Sequence, residues 1–261
     1  MKWPAILLAC CALAACHRGP APLRVCADPN NLPFSDRAGR GFENRLARIV
    51  ADELKRPLEM MWWAQRRGYV RNTVGGGLCD VWPGVATGVD MLATSRPYYR
   101  SGYVFVTRAD RPLAGLTLDD PRLRQLRLGV QMVGNDGANT PPADALSRRG
   151  IIRNVRGFML YGDYRQAAPP AAIVRAVSAG DIDAAMVWGP LAGWFAKTSP
   201  VPLRLEPVTP WLDQNRWPLA FDISMGVRKD DPELQRQIDQ ALAHRRPEIQ
   251  RLLAGYGVPS L

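Results

Sequence analysis

Side chains able to do covalent or metal chemistry are sparse in this sequence. Its two histidines, His17 and His244, lie far apart among basic neighbours, so neither a histidine metal site nor a Ser-His-Asp triad can be assembled. No P-loop, dinucleotide-binding glycine fingerprint, HExxH or GxSxG occurs. Asp28, Asp136 and Asp163 are the carboxylates that fall near predicted strand ends, where a general acid or base would have to stand. The remaining chemistry is recognition. Asn30, Asn31 and Asn139 offer amides; Thr140 offers a hydroxyl; Arg66, Arg67 and Arg96 offer guanidinium groups; Phe34, Tyr98, Tyr99 and Trp188 offer rings. Gly84, Gly189 and Pro190 lie at predicted strand ends beside them.

Alternating strand and helix signals must position these groups. LRVCA (23–27) reads as a strand running into the turn-rich DPNNLPFSD, and Phe42, Leu46, Ile49, Val50 and Leu54 recur at helical spacing until Lys55-Arg56-Pro57. LEMMWW follows as a second strand, a short basic helix RRGYVRNTV is broken at Gly75, and CDVWPG is a third strand ending at Gly84. This rhythm predicts a parallel sheet with the first strand between the second and third. SGYVFVTR is a long strand leading out of this unit, and LRLGVQMVG opens a second. Helices ending at Gly150 and Gly180, the strand DAAMVWG, a return crossing at LRLEPV, the strand FDISMGVR and a helix from Pro232 complete the reading. Ligands of such sheets sit at the carboxyl ends of strands, which is where most of the residues above fall. Each also has a plain structural reading: Asn30, Asn31 and Phe34 as turn, Arg66 and Arg67 as a solvated helix start, Tyr98 as hinge packing, Trp188 as cleft wall or plug, and Trp194 as helix packing.

At 261 residues and 47% hydrophobic, the chain is long enough for one large domain or two small lobes. MKWPAILLACCALAAC has the anatomy of a secretory signal, and its apolar run is shorter than the roughly 20 residues a membrane span needs. Leu13-Ala14-Ala15-Cys16 resembles a bacterial lipobox, which implies cleavage after residue 15, lipidation of Cys16 and a tether over 16–22. A plain signal peptide with Cys16 left over is the alternative. With Cys10 and Cys11 removed and Cys16 acylated, Cys26 and Cys79 remain in an oxidising compartment, either as a disulfide or as two buried thiols. The net charge of +10 favours acidic partners or serves only solubility; an exported chain makes nucleic acid an improbable partner. No cofactor, metal site or oligomeric contact is indicated, so a monomer is expected.

GLCDVWPGV (77–85), SRPYYRSGYVFV (95–106) and AVSAGDIDAAMV (176–187) resemble, in order, strings of the polar-amino-acid periplasmic solute-binding proteins. That resemblance covers nearly all of the chain beyond the tether. It implies an α/β fold of two Rossmann-like lobes (type II) joined by two hinge strands, with 23–105 plus 208–261 forming lobe 1 and 106–207 forming lobe 2. Departures from the pattern are specific. Amino-acid binders carry a carboxylate-clamping arginine about nine residues before the proline of SRPYY; Gly88 stands there. Where they place an acid for the ligand ammonium this chain has Trp188, and their Gly-Thr anion-binding helix start is Asn139-Thr140-Pro141-Pro142, each proline removing a donor. An α-amino acid ligand is therefore not expected.

RVCADPNNLPFS (24–35), GFENRLA (41–47), QRRGYVRNT (65–73), NTPPADALSRRGI (139–151), VWGPLAGWFA (187–196) and DISMGVRK (222–229) are similar to a narrower group, the MxaJ/XoxJ type encoded with PQQ-dependent alcohol dehydrogenases. The resemblance implies an accessory in methanol or related alcohol oxidation, acting on a quinoprotein dehydrogenase or its cytochrome c, and not an enzyme itself. Two rivals stay open: the solute-binding component of an importer for a small uncharged or aromatic ligand, and a dehydratase- or lyase-like enzyme on the same scaffold.

Overall fold

Strand β1 (Leu23–Ala27) is buried along nearly its whole length, as a strand covered on both faces must be. The computed structural model describes residues 19–133, 139–161 and 164–259; the signal segment, Cys16 and His17 lie outside them. Helix α1 (Phe42–Glu53) turns Phe42, Leu46, Ile49 and Val50 inward and crosses to β2 (Leu58–Trp62), and α2 (Tyr69–Asn72) crosses to β3 (Val81–Ala86). β1 pairs in parallel with β2 from Leu23↔Leu58 to Ala27↔Trp62 and with β3 at Val25↔Val81. It therefore lies between them, the order that right-handed crossovers produce. The third strand begins at Val81, two residues later than its sequence implies, and Asp80 before it accepts from the Arg24 backbone N–H and guanidinium at 3.0 and 2.6 Å.

The chain leaves this unit through β4 (Tyr99–Arg108) and builds a second from β5 (Leu128–Met132), α3 (Pro141–Arg148), β6 (Val155–Met159), α4 (Ala172–Ala179), β7 (Ala184–Trp188), α5 (Gly189–Lys197) and β8 (Leu203–Pro207). β9 (Ala220–Val227), α6 (Pro232–His244) and α7 (Arg246–Gly255) return to the first. The sheet runs β2-β1-β3-β9-β4-β7-β5-β6. β4 changes partners midway: Tyr99–Gly102 pair with Ala220–Ile223 of β9, and Tyr103–Thr107 pair with Ala184–Trp188 of β7. The molecule is thus a two-lobed α/β protein whose lobes share strands. LRLEPV does not itself cross: Leu203–Pro207 pair with Val104–Arg108, and Val208 and Leu219 pack in the second lobe's core before β9 enters the first. A strand at Val155–Met159 escapes sequence reading because VRGFM is half exposed and broken by Gly157.

One core gathers Phe42, Leu46, Val50, Met225, Ile238 and Leu253 of the first lobe; Phe105, Leu128, Leu146 and Met186 centre a second core and Val106, Ile173, Val177 and Leu191 a third. Truncating one of these, for example Leu46→Ala, costs about 2–5 kcal/mol. Trp194 stacks on Tyr256, ring centroids 4.7 Å apart, so it does serve helix packing. Cys26 and Cys79 form a disulfide.

Candidate functional site

Strand ends of both lobes converge on a cavity of about 370 Å³. Asn31 and Phe34 reach it from the loop after β1, Gln65 from the segment after β2, and Trp82, Gly84 and Ala86 from β3. The crossing strand supplies Tyr99 and Tyr103, and the second lobe supplies Gln131, Thr140, Tyr161, Trp188 and Leu191. Its walls are mostly aromatic and aliphatic and its neutral polar groups few, the usual make-up of a small-molecule site.

Among the described residues, Glu43, in the first turn of α1, is the one carboxyl group on this wall, and no arginine or lysine lines the cavity. The residue is 6% exposed. Its backbone N–H donates to the Phe34 carbonyl at 2.9 Å, but among the described residues no donor reaches its carboxylate. Burial first, and then the neighbouring Asp28 charge, push this carboxyl up to about 8. Burial likewise raises the phenols of Tyr98 and Tyr99 well above their ordinary value and brings Tyr161 to about 12. Trp188 closes one end, with its ring centroid 5.3 Å from Tyr103 and 6.1 Å from Phe221, and its backbone N–H donates to Gln131 Oε1 at 3.1 Å. Its indole stands beside the Tyr99 hydroxyl and opposes in part the rise that burial gives that phenol.

Across the mouth the lobes touch. Tyr164 Oη donates to Asp28 Oδ2 at 2.6 Å, Asn30 Nδ2 donates to the Gln166 carbonyl at 2.8 Å, and Arg66 Nη1 donates to the Tyr161 carbonyl at 3.0 Å. Asp28 also accepts from the Asn30 and Gln65 backbone N–H groups at 2.8 Å. Its lone pairs are committed to holding the mouth together. Asp136 and Asp163 lie outside the described residues.

Of the sequence-predicted residues, Asn31, Phe34, Gly84, Thr140 and Trp188 line the cavity. Arg66 and Arg67 border an adjoining groove with Tyr161 and Met159, and Arg66 lies over the Tyr164 ring at 5.2 Å. Asn30 stands at the rim. Thr140 turns its hydroxyl back to the Gln131 carbonyl at 2.6 Å, and Asn139 sits on a separate surface hollow with Trp217. Arg96 is remote from the cleft: its backbone N–H caps onto Asp239 of α6 at 2.6 Å. Tyr98 is packing, its hydroxyl donating to the Pro83 carbonyl at 2.9 Å. Gly189 and Pro190 are buried behind the wall, where a Cβ on Gly189 would stand 2.7 Å from the Gly102 carbonyl oxygen of the crossing strand.

Sequence reasoning missed Glu43, Gln65, Trp82, Tyr103, Gln131 and Tyr161. For Glu43 a signal existed: it falls one turn before Leu46 and Ala47, on the stripe that α1 buries, so a carboxylate there marks either a penalty or a purpose. Trp82, Tyr103 and Gln131 read as ordinary strand residues until the second lobe is placed opposite them. Among the described residues no group of three or more His, Cys, Asp and Glu side chains could hold a metal, and no helix is long and apolar enough to cross a membrane.

No family model matches the sequence. The protein MoxJ of Methylorubrum extorquens is 36% identical over 251 residues, 92% of this chain and 81% of that protein. Among solved structures, the periplasmic binding protein XoxJ from Methylobacterium extorquens AM1 is 39% identical with a TM-score of 0.73, covering 92% of this chain and 99% of that one. MxaJ from Methlophaga aminisulfidivorans MPT is 29% identical with a TM-score of 0.76, covering 92% and 100%.

Proposed function

The chain belongs to the MoxJ family of periplasmic binding proteins, and from that premise we propose that it serves as an accessory of a PQQ-dependent alcohol dehydrogenase. In this role it matures, activates or assists the dehydrogenase or its cytochrome c and does not itself turn over substrate. Residues 1–15 export it, lipidated Cys16 anchors it, and 16–22 tether a monomer whose lobes, 23–105 with 208–261 and 106–207, hinge where β4 exchanges β9 for β7. The 208–219 segment rides on the second lobe.

The observation that carries this reading is a cleft kept in shape but without the grips for a zwitterion. Gly88, Trp188 and Pro141-Pro142 occupy the positions at which the amino-acid binders hold carboxylate and ammonium, and among the described residues no guanidinium lines the cavity. The net charge of +10 suits docking on an acidic partner. Deletion of the gene, with PQQ and metal supplied, is expected to lower periplasmic dehydrogenase activity, and the full chain to restore it. Undiminished activity in the deletion strain refutes the accessory role. A pull-down from periplasmic extract should lose the dehydrogenase or cytochrome as salt rises.

The persistence of a roughly 370 Å³ cavity favours a second reading, the ligand-binding component of an importer. A small solute that raises the melting temperature and is carried into cells only when this protein is present would support it.

A further inference from the structure

The cavity joins two features that rarely coincide without a ligand. Its walls present the rings of Phe34, Trp82, Tyr99, Tyr103, Tyr161 and Trp188, and among the described residues that line it stands a single carboxyl group, Glu43, which no described donor or countercharge reaches. Ionising a carboxyl this buried without a partner is costly, and proteins ordinarily pair such a group or replace it. Here position 84 is kept free of a side chain at the point of contact: a Cβ on Gly84 would lie 2.1 Å from Glu43 Oε1. The carboxylate is thereby held against β3, facing the cavity and not the core.

Aromatic faces carry negative electrostatic potential and attract a cation that has shed its water, and a carboxylate adds a full countercharge. A carboxylate-bearing ligand finds no countercharge, because among the described residues no arginine or lysine lines the cavity. A strongly hydrated metal ion would find one carboxylate and neutral amides, too few hard oxygens for calcium or magnesium. A bulky organic cation satisfies both the rings and the charge.

We propose that the cleft binds a small organic monocation of the alkylammonium class, its ammonium seated between Glu43 and the aromatic walls and its remainder free of carboxylate. The proposal rests on the cavity alone and is independent of which dehydrogenase, if any, the protein serves.

The titratable groups around Glu43 are Asp28 at the end of β1, Tyr69 of α2, Tyr98 and Tyr99 of β4, and Tyr161 of the second lobe; all are acids. With its carboxyl pushed up to about 8, Glu43 holds a proton at neutral pH when the cavity is empty. An arriving cation supplies the missing countercharge, so the proton leaves the carboxyl and passes to the buffer.

The test is calorimetric titration of the purified full chain with choline and tetramethylammonium, beside dimethylbutanol, the neutral carbon isostere of choline, and glycine betaine, which adds a carboxylate. Both cations are expected to bind, with dimethylbutanol and betaine at least about tenfold weaker than choline. Near pH 7, titration in buffers of different ionisation heat should show release of close to one proton per choline bound. Glu43→Gln should weaken choline at least about tenfold and abolish proton release while leaving the weak binding of dimethylbutanol unchanged. Should that variant not fold, Trp188→Leu tests the rings, and the same loss of preference for choline over its isostere is expected. Equal binding of choline and dimethylbutanol, betaine binding as tightly as choline, choline affinity unchanged by Glu43→Gln, or no binding of either cation at about 10 mM would each overturn the assignment.

Discussion

Glu43 Oε1 stands 2.1 Å from where a Cβ on Gly84 would be, so the carboxyl end of this side chain packs on β3 in the space that position 84 leaves open. Gly84 does not adopt a left-handed backbone conformation, so alanine is not barred by φ but must push the Glu43 carboxyl aside. Gly84→Ala is expected to destabilise the fold by about 1–3 kcal/mol, and the Gly84→Ala, Glu43→Ala double variant by clearly less than the sum of the singles. Urea midpoints of the four proteins measure the coupling; strictly additive losses would contradict the contact.

The same carboxyl sets a pH dependence. An unfolded glutamate gives up its proton near 4.5, whereas in the fold Glu43 keeps it to about 8, so between these values the native state binds the extra proton. Stability from this group is complete below the lower value and is lost as pH rises through the upper one. The total is on the order of 5 kcal/mol. Thermal midpoints of the native sequence should fall between about pH 5 and 9, and Glu43→Gln should flatten that fall. A parallel decline in both proteins would assign the effect elsewhere.

Asp213 is fully buried between Arg148 and Arg149, accepting from each at 2.7 Å, and so clamps the hairpin that carries Trp217 onto α3. Burial alone would raise its carboxyl, but the hydrogen bonds from Arg149 and Arg148 outweigh it and hold the group below the usual aspartate range. Its stabilisation is present above that range and is lost as pH falls through it. Asp213→Ala leaves two guanidinium groups facing each other and is expected to cost about 3–5 kcal/mol in chemical denaturation. A cost below about 1 kcal/mol would show that the clamp is dispensable.

The Cys26–Cys79 bridge closes a loop of sequence separation 53, for which chain entropy predicts a contribution of about 4 kcal/mol. The double serine variant should lose stability of that order, and dithiothreitol should lower the melting temperature of the native sequence but not that of the variant. Identical melting in oxidised and reduced samples would rule the contribution out.

Much of this molecule is written along the chain. β1, α1, α4 and β7 follow from local periodicity, because the period of burial and the period of the backbone coincide there and Gly180, at φ 78, ends α4 where a helix needs a left-handed residue. The position of Trp188 on the cleft wall follows from parallel topology, since strand ends of such sheets border the crevice, whereas Cys79 lies two residues before β3 and meets Cys26 there only in the folded chain. Glu43, Tyr103 and Gln131 acquire a common purpose only in the tertiary structure. They come from α1, from the crossing strand and from the opposite lobe, and no spacing in one dimension encodes which strand ends will face each other. For the same reason Arg96, plausible by its place before the hinge strand, was carried to α6 and away from the cleft. Local sequence determines which elements form and which side they bury; the charge environment of a cavity belongs to the assembled walls, and that is what turns a helical glutamate into the centre of this site.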